Sequence, residues 1–196
     1  MISFNLASVI SALNNGEVIV YPTDTLYGLG ADIYNESAVK KIFLIKKRPL
    51  NQPLSIAVSS INDLENVAVV DDRIIRIAKS FLPGKLTLVL KKKTVVSDIL
   101  TAGSNCVAVR IPNNSFALQI LSAFGPLTCT SANMHGMSTP YEINEIKTQF
   151  KEKINIYIDV GELKDKSSTI IDLSGKKVRI IREGSIPAKK VLKAIL

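Results

Sequence analysis

Short, near-continuous apolar runs alternate along this chain with segments of helical periodicity, and the alternation limits the fold more than any other feature. Runs at 18–21, 54–58, 86–90, 106–111, 127–130, 154–159, 169–173 and 177–181 predict strands. Helical spacing predicts helices over 6–13, 37–47, 71–81, 115–124, 141–150 and 188–196. Asn14-Asn15-Gly16 closes the first helix, Pro83-Gly84 the third and Gly125-Pro126 the fourth. Such mixed order predicts an α/β chain, a twisted open mixed sheet flanked by helices. The strands are apolar throughout rather than alternating, so most should be covered on both faces.

The 196 residues suit one domain, 1–196, with no internal repeat or Pro/Gly-rich linker to divide them. Cys106 and Cys129 each sit in an apolar run and read as buried free thiols rather than a disulfide. A single histidine, His135, rules out any zinc-type Cys/His spacing. The first six residues lack the basic start of a secretory leader, and no apolar run reaches the length of a membrane span. The expectation is a cytoplasmic protein with no membrane partner. A net charge of +8 favours anionic partners: nucleotide phosphates, RNA, or both. A lysine-rich solvated surface has the same composition, so placement must decide.

Four segments carry polar chemistry where strands end, the place where ligands bind in α/β sheets. The first runs from Pro22 to Gly30 and holds Thr23, Asp24 and Thr25. Its glycines permit positive φ or close approach to a ligand, although Ile33 stands where a dinucleotide fingerprint needs its third glycine. Hydroxyls bonded to their own turn are the ordinary reading. The second is Lys46-Lys47-Arg48-Pro49. Two residues apart is not one helical face, so Lys46 and Arg48 converge only if the helix ends there, as Pro49 predicts. A point charge and a bidentate fork together suit a polyphosphate; cations at a helix C-terminus are the plain alternative. The third, from Thr128 to Asn133, offers hydroxyls and an amide without charge, suited to a nucleotide or to a capping turn. The fourth is spread over strand ends: Arg110, Ser168-Thr169 and Arg182. Arg110 lies in an otherwise apolar strand and needs an anion, from a ligand or from the protein. Nucleophilic catalysis would have to use His135, which reads as a solvated loop residue. No carboxylate cluster suggests a protein-built metal cage.

In this order the segments resemble the YrdC-like threonylcarbamoyl-AMP synthase family, whose signature is Lys-x-Arg followed much later by Ser-x-Asn. Here these are Lys46-Lys47-Arg48 and Ser131-Ala132-Asn133, with Pro22 to Gly30, Pro83-Gly84-Lys85-Leu86-Thr87, the Arg-x-Pro at Arg110, Ser168-Thr169 and Arg182-Glu183-Gly184 in sequence. The match runs from about residue 16 to residue 186. The resemblance implies a YrdC-like, RibB-type fold with a large positively charged concave cavity. It implies ATP at Lys46, Arg48, Ser131 and Asn133, with further contacts at Gln52 and Thr139 and with Arg182 closing over the nucleotide. It implies L-threonine at Thr25, Arg110 and Ser168. Ala57 stands where some members carry a histidine, and the chain resembles the short form that ends after this domain.

The implied reaction joins L-threonine, bicarbonate and ATP into threonylcarbamoyl-AMP, with Mg²⁺ carried by the ATP phosphates, as Mg²⁺ commonly is. Lys46 and Arg48 would offset phosphate charge, and Arg110 would hold the threonine carboxylate. The product would pass to a downstream threonylcarbamoyl transferase complex acting on tRNA. The competing reading is a non-catalytic double-stranded-RNA or tRNA-binding module. Carbamoyl transfer to another amine would share most of the site. The segment 92–104 is a candidate to close over it.

Overall fold

The computed structural model describes residues 4–194. The last two residues of the helix expected over 188–196, and the first three residues of the chain, lie outside them. The expected single mixed sheet is two mixed sheets. The smaller runs β7-β2-β1-β8, from Thr130–Ser131, Tyr27–Gly30, Ile19–Pro22 and Ile156–Tyr157. The larger runs β10-β9-β4-β5-β3-β6, from Arg179–Arg182, Thr169–Asp172, Leu86–Lys91, Cys106–Arg110, Ser55–Ala57 and Leu127–Thr128. The run predicted as one strand at 127–130 therefore serves both. Leu127–Thr128 pairs antiparallel with β3, and Thr130–Ser131 pairs antiparallel with β2.

Local chemistry accounts for most helix boundaries. Asn5 starts α1 (Leu6–Asn14), Asn35 starts α2 (Glu36–Lys46) and Asp71 starts α4 (Asp72–Phe81); each accepts a hydrogen bond from a first-turn N–H. Asn114 does the same for α6 (Ser115–Phe124), which ends at Gly125 with φ 117°. Two short helices carried no readable period: α3 (Ile61–Val67), capped by Ser60, and α5 (Asp98–Thr101). Helices α7 (Ile143–Phe150) and α8 (Ala188–Lys193) complete the set. Among the described residues no helix is long and apolar enough to cross a membrane.

β1 shows why its sequence is a continuous apolar run. Val20 packs into the main core with Tyr27, Leu29, Ile42 and Leu88, while Ile19 and Tyr21 face a second core with Val9, Leu13 and Ile120. Both faces are covered, and each such side chain contributes about 1.5–3 kcal/mol by leaving water. Gly28 and Gly30 sit in strand β2 without positive φ, so of the two roles open to them in the sequence, positive φ or close approach, only close approach remains. Gly30 is open for a neighbour of its own: a Cβ there would meet the Tyr21 ring at 2.9 Å.

The segment 92–104 is packed against the core. Val96 and Leu100 are buried, Leu54 donates its N–H to the Leu100 carbonyl, and Lys92 Nζ reaches both the Val96 carbonyl and Asp98.

Candidate functional site

A cavity of about 500 Å³ is lined from both sheets. The smaller sheet supplies Thr25 from the β1–β2 turn, Gly28 and Ser131; the larger supplies Ser55, Thr87, Arg110, Ser168 and Arg182. Three guanidiniums line it, those of Arg48, Arg110 and Arg182, and no carboxylate does among the described residues.

Sheet topology brings one group together. The end of β5 runs antiparallel beside the start of β4, and β4 starts level with β9, so Arg110, Thr87 and Ser168 meet at one end of the sheet. A bulge between Ile180 and Arg182 sets Arg182 opposite Ile170 and brings it to the same place. Thr87 Oγ1 and Ser168 Oγ lie 2.8 Å apart, and Arg182 donates from Nε and Nη2 to the Ser168 carbonyl at 3.2 and 2.8 Å. Burial, and then the charge of Arg110, lower the Arg182 pKa. Arg110 donates to Thr25 Oγ1 at 3.2 Å and to Asp24 Oδ1 at 2.5 Å. The Arg110 and Asp24 side chains are only 6% and 7% exposed. The anion that the sequence demanded for Arg110 is thus supplied within the protein.

The Lys-x-Arg and Ser-x-Asn pairs form a second group. Helix α2 ends at Lys46, and Lys47 takes the left-handed conformation at φ 52°, so Lys46 and Arg48 leave the helix end in different directions. Lys46 is buried, and its Nζ donates to the carbonyls of Ser131 at 2.5 Å and Asn133 at 2.6 Å. Its own carbonyl accepts the His135 N–H. Burial, and then the nearby Arg48 charge, push the Lys46 ammonium down to about 7. Asn133 accepts from Ser131 Oγ at 2.5 Å and donates to the Met134 and Met137 carbonyls. Arg48 donates from Nε to the Gln52 carbonyl and from Nη2 to the Pro53 carbonyl.

Of the residues singled out in the sequence, Thr25, Arg48, Arg110, Ser131, Thr139, Ser168 and Arg182 line the cavity. Lys46 and Asn133 stand behind the wall as a knot that holds the Ser131 turn, and the Gln52 side chain is not part of the wall. Ala57 is fully buried in the second core beside Tyr21 and Cys129. His135 is exposed. Sequence reasoning missed Ser55, whose hydroxyl binds the Cys129 carbonyl at 2.7 Å, and passed over Thr87 and Asp24 although both stood in quoted segments. A threonine inside the apolar run 86–90 was the available signal for Thr87.

Two mixed sheets sharing a cavity lined with arginine and hydroxyl groups define an α/β protein of the kind that carries its site between sheets. Comparison with known proteins makes the assignment specific. Residues 11–184 match the family model Sua5_yciO_yrdC, described as "Telomere recombination", and the chain belongs to that family. A Methanocaldococcus jannaschii protein provisionally named threonylcarbamoyl-AMP synthase is 41% identical over 90% of this chain and 84% of its own. The Pyrococcus abyssi threonylcarbamoyl-AMP synthase is 38% identical over 93% of this chain; the match spans 55% of the longer Pyrococcus protein. The crystal structure of Pyrococcus abyssi Sua5 complexed with L-threonine superposes with a TM-score of 0.93 at 36% identity, covering 97% of this chain and 57% of that one. Escherichia coli YciO superposes at 0.86 and 29% identity, covering 97% and 92%.

Proposed function

We propose that this chain is an L-threonylcarbamoyladenylate synthase, a nucleotidyltransferase that makes threonylcarbamoyl-AMP and pyrophosphate from L-threonine, bicarbonate and ATP. The observation that carries the reading is the division of one cavity into two ends. Arg110, Thr25 and Ser168 gather at one, and Arg48 stands with the Ser131 turn at the other. The first end suits an amino acid and the second a nucleotide triphosphate. The names of the Methanocaldococcus and Pyrococcus relatives support the same reading.

The chemistry asks for position rather than a protein nucleophile. Bicarbonate takes up a proton and loses water to give CO₂; the neutral threonine amine attacks its carbon, a C–N bond forms as one C–O π bond opens, the nitrogen's proton passes to water and a carbamate results. A carbamate oxygen then attacks the α-phosphorus of ATP; the new P–O bond forms as the bond to the β-phosphate oxygen breaks, and pyrophosphate leaves. Arg48 would offset charge on the phosphates, the Ser131 turn would orient the nucleotide, and Arg110 would hold the threonine carboxylate. Mg²⁺ would arrive with the ATP phosphates, as it commonly does. This would place the protein in the cytoplasm, where a transferase complex could take its product to tRNA.

Pyrophosphate release from ATP with Mg²⁺ and bicarbonate, with and without L-threonine and with serine as control, tests the reading. Threonine-dependent release is expected. Arg110→Ala should raise the KM for threonine about tenfold or more and leave that for ATP within about twofold, because it removes one partner of a charge contact. Arg48→Ala should show the reverse split. No release under any condition, together with salt-sensitive binding of duplex RNA, would favour the RNA-binding module instead.

A further inference from the structure

The cavity must keep two ligands of different charge apart. ATP carries several negative charges, whereas free threonine is a zwitterion with one charge of each sign. A wall with three guanidiniums and no carboxylate would draw phosphate to every part of itself. The three arginines are nevertheless not equivalent. Arg48 and Arg182 donate to backbone carbonyls and, for Arg182, to the Ser168 hydroxyl, groups that leave their charge uncompensated. Among the described residues, Arg110 alone of the three has a carboxylate partner, Asp24, in a buried ion pair. Asp24 belongs to no part of the wall and reaches Arg110 from the β1–β2 turn.

The contact is single rather than bidentate. Asp24 Oδ1 takes Arg110 Nη2, while Asp24 Oδ2 and Arg110 Nε are both buried without a partner. The usual fork-to-fork pairing of these groups would occupy both. Thr25 Oγ1 accepts from Nη1 on the other side of the guanidinium. Both unpaired atoms are buried, so the pair acts on a ligand in the cavity through its balanced charge.

We propose that Asp24 is a specificity-determining residue that sorts the two ligands by charge: by neutralising Arg110 it leaves only the Arg182 charge uncompensated at that end of the cavity, which then takes a zwitterionic amino acid in preference to phosphate and leaves the polyphosphate to Arg48. This rests on the synthase reading, and it adds a role for a residue that does not touch the nucleotide.

Threonine binding, titrated calorimetrically without ATP in the presence and absence of inorganic phosphate, tests it. In the unaltered protein phosphate should leave threonine affinity within about twofold. In Asp24→Asn, which retains an oxygen acceptor for Arg110 but loses the charge, the same phosphate should weaken threonine about tenfold, equivalent to about 1.4 kcal/mol of competition. Asp24→Glu, which keeps the charge, should resist phosphate like the unaltered protein; a residue of merely structural importance would not separate the two variants in this way. Phosphate competing with threonine in the unaltered protein would overturn the proposal without needing any variant to fold, and so would a folded Asp24→Asn that is indifferent to phosphate. An unaltered protein that binds no threonine would overturn the synthase reading and this one together, a result distinct from binding that phosphate displaces.

Discussion

The Lys46 ammonium is surrounded by acceptors rather than by counter-charges. The carbonyls of Ser131 and Asn133 hold it, yet burial and the Arg48 charge still push it down to about 7. The unfolded chain keeps its proton to about 10.4. Between these values the unfolded state binds more protons than the folded one, so this residue makes stability rise with pH across that window and cost most below 7. Urea unfolding at pH 6.5 and pH 9.5 should therefore show the wild-type protein gaining stability relative to Lys46→Met as pH rises; a difference that stayed the same at both pH values would mean the cage holds a permanently charged ammonium. Arg110 was legible in the sequence for a related reason, since a charge in an apolar strand requires a partner. Which partner was not legible, because Asp24 lies 86 residues earlier and only the pairing of sheets brings it there. Lys46 was legible as a member of a motif, but its spacing from Arg48 gave no hint that its side chain turns towards Ser131 instead of into the cavity.

The segment 127–131 joins the two sheets, and Thr128 is its fastening. Its backbone N–H goes to the Ala31 carbonyl, its hydroxyl donates to the Leu29 carbonyl at 2.9 Å, and that oxygen accepts the Ala31 N–H at 3.0 Å. The Tyr21 hydroxyl adds a bond to the Thr128 carbonyl. Thr128→Val keeps the shape and removes both hydroxyl bonds, leaving the Ala31 N–H and Leu29 carbonyl short of a partner in a fully buried place. It should cost about 1–3 kcal/mol in urea unfolding, and Thr128→Ser should recover most of that. The apolar run revealed this element as a strand but not that it changes sheets, a property of its partners. β2 escaped the sequence altogether because Gly28 and Gly30 mimic a turn; the true constraint on Gly30 is the Tyr21 ring one strand away. Helices α3 and α5 escaped because seven and four residues are too few to display a period.

Across the whole molecule, the cavity lies where both sheets contribute to one wall, so a ligand that fills it ties the sheets to each other. The β1–β2 turn brings Asp24 and Thr25 to Arg110 on β5, and α2 brings Lys46 to the turn that leaves β7. Alternating apolar and periodic segments foretold an α/β chain, and the ordered motifs foretold which loops would meet. The division into two sheets follows from pairing over long sequence distances, which local propensity does not encode. This arrangement makes ligand binding a stability measurement. A ligand at about one hundred times its dissociation constant stabilises the folded state by about 2.7 kcal/mol. For a chain of this size that amounts to a rise in Tm of roughly 5–10 °C. ATP should produce such a rise in the wild-type protein and lose it in Arg48→Ala, whereas threonine should lose it in Arg110→Ala. Since the two ligands together would touch both sheets, the saturated protein should melt in a single calorimetric transition. Two transitions, only one of them moved by ligand, would mean that the cavity belongs to one sheet and that the other merely packs beside it.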